Sequence, residues 1–272
     1  MTKIIITLLF CFPLALHAQT YLQLSEKAIE YIEKDSLPQA EKLLLQAIKL
    51  EPANAKNALL FSNLGLVQRR LGEYDKALES YSFALNFAPL AVPILLDRAA
   101  IYMEMGKTDR AYTDYCQVLD EDKQNKEALL MRAYIYTLRR DYPAARIDYD
   151  RLLQLDPQSY SGRLGLATLL QKERKYRESL EILNKMIGET PEDATLYVAR
   201  ADVEQEMKHE DLALIDLEEA IRLNPSLADA YLLRGNIYLA QKKKALAKAD
   251  FEKAISLGVP PADLHEQLKM CK

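Results

Sequence analysis

The stretch LGLVQRRLGEYDKALESYSFALNFAP, residues 64–89, is matched later in the chain by RGNIYLAQKKKALAKADFEKAISLG, residues 234–258. The two stretches align without gaps, and their starts lie 170 residues apart, which is five times 34. In each stretch apolar residues recur at i, i+3, i+4 and i+7, the spacing of an α-helix. A short break such as Gly72-Glu73-Tyr74 divides this helical pattern in two. The pattern predicts a helical hairpin that repeats along the chain.

A period of 34 residues organises nearly the whole chain after residue 18. The last six repeats follow one another directly, and only residues 55–57 interrupt the phase, between the first and second repeats. Each repeat is predicted to hold a first helix, a turn near repeat position 15 and a second helix. The seven predicted repeats are residues 21–54, 58–91, 92–125, 126–159, 160–193, 194–227 and 228–261.

The prolines agree with this division, because each falls where a missing backbone N–H costs little. Pro38 and Pro143 fall in the first turn of a second helix, and Pro93 falls in the first turn of a first helix. Five others follow a second helix at repeat position 32, namely Pro52, Pro89, Pro157, Pro191 and Pro225.

Three repeat positions carry side chains of nearly constant size. Position 8 is Ala or Gly in all seven repeats, and position 20 is Ala or Ser. Small side chains let the two helices of a hairpin approach closely, and larger ones would overpack the contact at roughly 1–3 kcal/mol each. Position 24 carries a large residue that fills the hairpin core, namely Leu44, Tyr81, Tyr115, Tyr149, Leu183, Leu217 and Phe251.

The residues at positions 8, 20 and 24, together with tyrosine at position 11 in four repeats and proline at position 32, resemble the pattern of the tetratricopeptide repeat. The resemblance covers nearly the whole chain after residue 18. It implies an all-α fold, an α-solenoid or superhelix of about seven helix-turn-helix repeats, each touching only its neighbours. Position 27, usually Ala in the family, departs from the pattern in the middle repeats, where it is Val118, Leu152 and Met186.

A second column pair combines arginine at position 7 with aspartate at position 23 in the same four repeats. Both positions lie eight residues from the turn, so an antiparallel hairpin brings them level. We interpret them as structural ion pairs between the two helices, and the alternative is a row of charges for binding. The predicted pairs are Arg98 with Asp114, Arg132 with Asp148, Arg200 with Asp216, and Arg234 with Asp250.

The resemblance also implies where a partner would bind, because positions 5 and 9 of the first helices commonly face a concave groove in this family. At these positions the predicted groove begins apolar and ends polar, and an apolar row suits an extended peptide or a helix face. The alternative is that position 5 packs partly against the adjacent second helix. The peptide-binding candidates are Leu66, Leu96, Leu130, Tyr134, Leu164, Thr168, Val198, Asp202, Leu232 and Asn236.

Residues 1–18, MTKIIITLLFCFPLALHA, have the pattern of a cleaved secretory signal peptide. Lys3 supplies the positive start, Ile4 to Leu16 form an apolar run, and Ala18 is a small residue at the expected cut. The run is short for a membrane span. The pattern predicts a periplasmic or secreted protein, and the alternatives are a membrane anchor or lipidation at Cys11.

The composition argues against catalysis and against nucleic-acid binding. The net charge is −4, from 36 basic and 40 acidic residues, whereas a dedicated nucleic-acid binder normally carries a basic stripe. Three His, three Cys and eight Gly leave little material for a metal site or a phosphate loop, and no catalytic motif occurs. We therefore expect no catalytic residue, no metal and no cofactor.

The leading functional hypothesis is a non-catalytic scaffold or adaptor, exported to the cell envelope, whose groove binds a protein or peptide segment. We expect no membrane-spanning segment after residue 18. Residues 262–272 are predicted to form a short C-terminal capping helix, and exposed apolar surface at an end would allow a homo-oligomer. The alternative is a structural subunit of an envelope complex that assembles through its ends or convex face.

Overall fold

The computed structural model describes residues 11–272, with side chains described from Thr20 onward. The described chain contains fifteen α-helices and one 3-10 helix, and no strand occurs in it. It forms two compact units, one ending at Ile135 and the other spanning Tyr136–Lys272, with the boundary inside the seventh helix. The predicted all-α class is confirmed.

The first unit holds three helical hairpins and most of α7. Each pair α1/α2, α3/α4 and α5/α6 packs together. Helix α1 begins ten residues before the first predicted repeat at Tyr21. The helices are α1 (Cys11–Glu33), α2 (Leu37–Leu50), α3 (Asn57–Arg70), α4 (Tyr74–Phe87), α5 (Val92–Glu104), α6 (Thr108–Glu121) and α7 (Lys126–Leu138).

The second unit continues the same alternation of first and second helices. The pairs α9/α10, α11/α12 and α13/α14 pack together, and each first helix is followed at the predicted turn by its second helix. The helices are α8 (Tyr142–Leu155), α9 (Tyr160–Lys172), α10 (Tyr176–Glu189), α11 (Ala194–Glu206), α12 (Glu210–Leu223), α13 (Ala228–Ala240), α14 (Lys244–Ser256) and α15 (His265–Met270).

The small and large columns form the hairpin cores, because small residues on one helix admit large ones from the other. Tyr81 and Phe251 at position 24 are completely buried. A Cβ added at Gly235 would lie 2.7 Å from Cε1 of Phe251, so α13 and α14 approach as closely there as a bare backbone allows. Ala111 and Ala213 at position 20 are likewise fully buried.

The three residues that interrupt the repeat phase bring a polar side chain into the core. Asn57, the last of them, is the first residue of α3 and is completely buried. Its Nδ2 donates to the Glu51 carbonyl at 2.7 Å, and the Tyr21 hydroxyl donates to its Oδ1 at 2.9 Å. The interruption thus links α1 to the start of α3 through hydrogen bonds that satisfy the buried amide.

The chain end folds back on the last hairpin. A 3-10 helix, Pro261–Leu264, leads into α15. Leu264 and Cys271 are buried in one cluster with Tyr231 and Phe251. Residues 262–272 therefore cover apolar surface that the last repeat would otherwise expose.

The predicted signal peptide lies outside the residues whose side chains are described. Only the backbone of residues 11–18 is described there, as the first part of α1. Export thus stays a prediction. In the described part of the chain, no helix combines the length and the apolar character that crossing a membrane requires.

Candidate protein-binding surface

The ten predicted groove residues occupy positions 5 and 9 of the first helices, which lie one turn apart on one side of each helix, and none of the ten is buried. We call this side of the first helices, in each unit, the first-helix face. In the first unit Tyr134 is 45% exposed, and its three leucines are partly exposed. In the second unit Thr168 and Asn236 are exposed, and the other four residues are partly exposed. The face therefore offers these side chains to a partner.

The apolar residues at position 5 also contribute to the cores. Leu164, Val198 and Leu232 each pack against a buried cluster of the second unit while staying partly exposed. Position 5 is thus partly exposed and also packed against the core, and its part in binding a partner stays a prediction. A partner would contact only the outer part of these side chains.

A pocket opens on the first-helix face of the second unit, between α9, α10 and α11. Its volume is about 110 Å³. Ala167, Leu183 and Val203 supply apolar wall, while Thr168 and Asp202 from position 9 of consecutive repeats also line it. The Gln171 side-chain amide donates to Asp202 Oδ2 at 2.8 Å and so joins α9 to α11 beside the pocket.

The pocket lies where two repeat positions, 24 and 6, carry comparatively short side chains. Position 24 is Leu183 here, whereas it is tyrosine in the three preceding repeats. Position 6 of the next first helix is Ala199. Leucine in place of tyrosine at position 24 leaves space in the hairpin, and the short alanine at position 6 of the next helix does not fill it.

Three of the four arginine–aspartate pairs are bidentate ion pairs between the helices of one hairpin. Asp114, Asp216 and Asp250 are nearly buried, and each accepts from Nε and Nη2 of its arginine at 2.6–2.8 Å. Arg200 also donates to Asn184 of the preceding hairpin at 2.7 Å. These contacts favour the structural interpretation. Arg132 and Asp148 belong to different units, and their pairing stays a prediction.

Tyrosine rings lie beside all three of these arginines, and the guanidinium carbon of Arg98 lies 5.9 Å from the ring centre of Tyr102. The guanidinium carbon of Arg200 lies 5.6 Å from the ring centre of Tyr197, and that of Arg234 lies 5.6 Å from the ring centre of Tyr231. A cation over a ring face gains further stabilisation. The charges of Arg98, Arg200 and Arg234 are thus engaged by groups of the fold itself.

Comparison with known proteins decides the family. Family models described as "Tetratricopeptide repeat" match residues 26–90, 96–160, 194–227 and 228–257. The chain is also similar to a tetratricopeptide repeat protein from Parabacteroides merdae, with 38% identity, a TM-score of 0.85, and coverage of 93% of this chain and 99% of that one. The chain belongs to the tetratricopeptide repeat family.

More distant structures share the fold of this tetratricopeptide repeat chain. PilF from Pseudomonas aeruginosa is 17% identical to this chain, with a TM-score of 0.60. The alignment covers 79% of this chain and 96% of the PilF chain. The C-terminal part of a tetratricopeptide repeat protein from Cytophaga hutchinsonii is 16% identical, with a TM-score of 0.59. That alignment covers 86% of this chain and 95% of the other. These likenesses show the fold alone. The comparison with curated proteins finds no match.

Family membership gives a coarse function. Tetratricopeptide repeat proteins bind proteins or peptides and are typically non-catalytic adaptors, so this chain is a protein–protein interaction scaffold in the same broad sense. Among the described residues, no group of three His, Cys, Asp or Glu is placed to hold a metal ion.

The sequence analysis missed two features of the tetratricopeptide repeat surface. Asp97 at position 6 is half-buried, and burial, together with the charge of Asp97, raises the pKa of the fully buried Tyr81 hydroxyl, although position 6 was not considered as a binding position. The signal was present, because Asp97 is the only charged residue at position 6 from the second repeat onward. The pocket was missed because it depends on side chains from three helices.

Exposed apolar side chains also occur on the second helices of this tetratricopeptide repeat chain. On α12, Leu212 is 50% exposed and Ile215 is 61% exposed, and on α14 Leu246 is 50% exposed. In the first unit, Phe83 and Phe87 of α4 stack on Phe61 with ring centres 5.2 and 6.1 Å away. These groups provide apolar surface outside the first-helix face.

Proposed function

We propose that the protein is an exported, non-catalytic adaptor that binds a segment of another protein along its first-helix face. The observation that carries the proposal is the pocket between α9, α10 and α11, because Thr168 and Asp202 line it and both are predicted groove residues. A pocket of this kind gives a bound segment a fixed register, because one side chain must enter it.

The size and lining of the pocket favour a small aliphatic side chain. Its volume of about 110 Å³ is below the roughly 150 Å³ of an apolar cavity that accepts benzene. Leu183 and Val203 supply apolar contacts for such a group. Thr168, Gln171 and Asp202 provide polar groups that can bond a peptide backbone passing over it.

A pocket-filling variant tests the binding surface. Ala199→Leu places a larger side chain in the pocket, and leucine already occupies position 6 at Leu233. The matched control is Ile215→Asp on α12, which lies outside the first-helix face. Partners captured by cross-linking from an envelope extract would be compared by mass spectrometry, after circular dichroism confirms equal helicity.

We expect Ala199→Leu to lose a partner that Ile215→Asp keeps. The Leu130→Asp, Leu164→Asp double variant should lose the same partner, because both side chains lie on the first-helix face. If every captured partner still binds both of these variants of the first-helix face, the proposal is contradicted.

Export carries its own test. The signal-peptide pattern predicts that the mature chain begins at Gln19. Intact mass after fractionation of the producing cells should show this start in the periplasmic or secreted fraction. Leu8→Arg with Leu9→Arg breaks the apolar run and should leave an uncleaved chain inside the cell. An uncleaved wild-type chain in the cytoplasmic fraction would contradict export.

The second candidate is a structural subunit that assembles through surfaces other than the first-helix face. The exposed Leu212, Ile215 and Leu246 on α12 and α14 favour it, because such side chains are suited to an interface. A second copy of the chain is one such partner. In the experiment above, loss of a partner with Ile215→Asp but not with Ala199→Leu would support this function instead.

A further inference from the structure

The four turns that join a first helix to a second helix in the second unit share one backbone geometry. At repeat position 15 the φ angle is 60–67°, and the N–H of that residue donates to the carbonyl of position 12 at 2.9–3.1 Å. The N–H of position 16 donates to the carbonyl of position 11 at 2.8–2.9 Å. This Schellman arrangement favours glycine at its left-handed residue. Because the geometry repeats, the side chain at position 15 leaves each turn in the same direction.

Each of these turns nevertheless carries a cation at position 15. The four residues are exposed, and they are Arg140, Arg174, Lys208 and Lys242. In the described part of the chain, their side chains form no hydrogen bond and no ion pair. The first unit has no cation at this position, where it carries Asp35, Gly72 and Gly106. Four cations thus adopt an unfavourable conformation without a polar contact that stabilises the fold, and this combination indicates a role outside the fold.

The four turns lie next to one another along one edge of the second unit. The second helix of one repeat packs against the first helix of the next, as α8 against α9, α10 against α11 and α12 against α13. The last two turns are directly bonded, because Nε2 of Gln241 donates to Oε2 of Glu210 at 2.8 Å. We call residues 138–143, 172–177, 206–211 and 240–245, which hold these turns, the basic edge.

The basic edge differs in charge from the rest of the second unit. It carries ten basic and five acidic residues, a net charge of +5 with histidine neutral. The second unit as a whole has 21 basic and 23 acidic residues, so its remainder carries −7. Asp141, Glu173 and Glu210 are engaged by neighbouring groups, while Glu206 and Asp211 of the α11–α12 turn are exposed. Positive charge is therefore concentrated on this edge and is weakest at the α11–α12 turn.

Exposed leucines lie beside these cations. Leu138, 54% exposed, comes two residues before Arg140. Leu212 and Leu246, each 50% exposed, follow the position-15 lysines of their own repeats by four residues. An acidic protein segment would engage the cations alone. A lipid interface engages both groups, because headgroups attract the cations and aliphatic side chains enter the boundary of the acyl chains.

We propose that the basic edge of the second unit is a membrane-contact surface that binds anionic phospholipid headgroups. The arginine and lysine side chains donate to phosphate oxygens, and the three leucines enter the boundary between headgroups and acyl chains. The surface includes none of the ten residues of the first-helix face. The inference therefore goes beyond the proposed function and does not depend on it.

The test is co-sedimentation of the chain, isolated from its producing cells, with two kinds of vesicle. One kind is phosphatidylcholine alone, and the other contains about one third phosphatidylglycerol. Residues 1–18, if they are retained, would bind both kinds through their apolar run, so the preference for the anionic vesicles isolates the contribution of the edge. A polyglutamate peptide serves as the competing ligand of the protein class.

Three variants would be compared with wild type. The edge variant replaces the four position-15 cations by glycine, which suits their backbone: Arg140→Gly, Arg174→Gly, Lys208→Gly and Lys242→Gly. The matched control removes four exposed lysines of the first unit and so changes the net charge equally: Lys27→Gln, Lys42→Gln, Lys49→Gln and Lys56→Gln. The leucine variant combines Leu138→Gln, Leu212→Gln and Leu246→Gln.

We expect wild type to prefer the anionic vesicles, and high salt to reduce this preference. One cation at an anionic surface changes partitioning about five-fold, so the edge variant should lower the preference about 25-fold or more, the effect of two cations. The leucine variant should bind the anionic vesicles about 10-fold more weakly. The control should stay within about two-fold of wild type. The edge variant should melt at or above the temperature of wild type, because glycine relieves the turns.

Equal preference for anionic vesicles in wild type and the edge variant would overturn the inference, and so would an equal loss in the control. A lower melting temperature of the edge variant would show that the cations stabilise the turns, which removes the reason for an outside role. If wild type binds polyglutamate through the four cations but does not bind the anionic vesicles, the edge contacts an acidic protein and the lipid assignment is overturned.

Discussion

Seven residues occupy the turn position 15, one in each repeat, and all have a positive φ of 55–77°. Only Gly72 and Gly106 are glycines there. The other five are charged residues such as Asp35 and Lys208, held in a conformation that costs an L-residue roughly 1–2 kcal/mol. The turn geometry is therefore imposed by the packing of the two helices rather than by the residue in the turn.

Two glycine substitutions should change stability in opposite directions. Gly106→Ala puts a Cβ on a backbone with φ of 70°, and we expect a loss of about 1 kcal/mol after the entropy gain in the unfolded chain. Gly188→Ala lies inside α10 with nothing near its Cβ, and we expect a gain of about 0.5 kcal/mol. Urea unfolding followed by circular dichroism checks both, and equal shifts would contradict the turn assignment.

Asp97 should make the free protein less stable as pH rises. Its carboxyl pKa is raised in the folded chain, so the folded state binds the proton more tightly than the unfolded state. Stability therefore falls as pH rises from the ordinary carboxyl pKa, 3.8, through the folded value. Asp97→Asn should raise the melting temperature at pH 7 and have a smaller effect near pH 4.

The charges facing Asp97 set the control for this experiment. Arg69, Glu104 and Tyr81 are its ionisable neighbours, and the Arg69–Glu104 pair remains in the variant. Asp120→Asn, on an exposed side of α6, should show no such pH-dependent difference. A melting temperature of Asp97→Asn below that of wild type at pH 7 would show that the carboxylate stabilises the free protein.

At the level of the elements, bidentate arginine–aspartate pairs connect the two helices of a hairpin. Asp216 of α12 is 6% exposed, and the Arg200 side chain of α11 is 24% exposed. Removal of one partner leaves the other charge largely buried and unpaired, which is the costly case. The pairs thus fix the register of the two helices as well as their contact.

Asp216→Ala should destabilise the second unit by roughly 2–4 kcal/mol, less than the roughly 3–5 kcal/mol for breaking a fully buried pair, because Arg200 keeps some solvent contact. The matched control is Glu219→Ala, which breaks an equally bidentate pair with Arg222 on the solvent side of α12. That change should leave the urea midpoint unaltered. Equal midpoints for the two variants would show that the hairpin pair contributes no more than a surface pair.

At the level of the whole molecule, the phase of the repeat predicted the helical hairpins because apolar spacing, proline positions and small residues all agree within each 34-residue unit. Positions 5 and 9 were predicted to face a groove, with packing of position 5 against the adjacent second helix as the alternative. The pocket could not be predicted from single repeat positions, because it depends on residues from three helices. The short side chains of Leu183 and Ala199, for example, form a pocket only because α10 and α11 pack together at these residues.

The central claim, that the first-helix face binds a protein segment, is tested most directly by photo-cross-linking in the producing cells. Benzoylphenylalanine would replace Tyr134, 45% exposed on the first-helix face, and separately Tyr74, 37% exposed at the start of the second helix α4. We expect Tyr134→benzoylphenylalanine to form a covalent adduct with one protein, at a yield well above that of the Tyr74 variant. An adduct formed only from Tyr74 would contradict the claim.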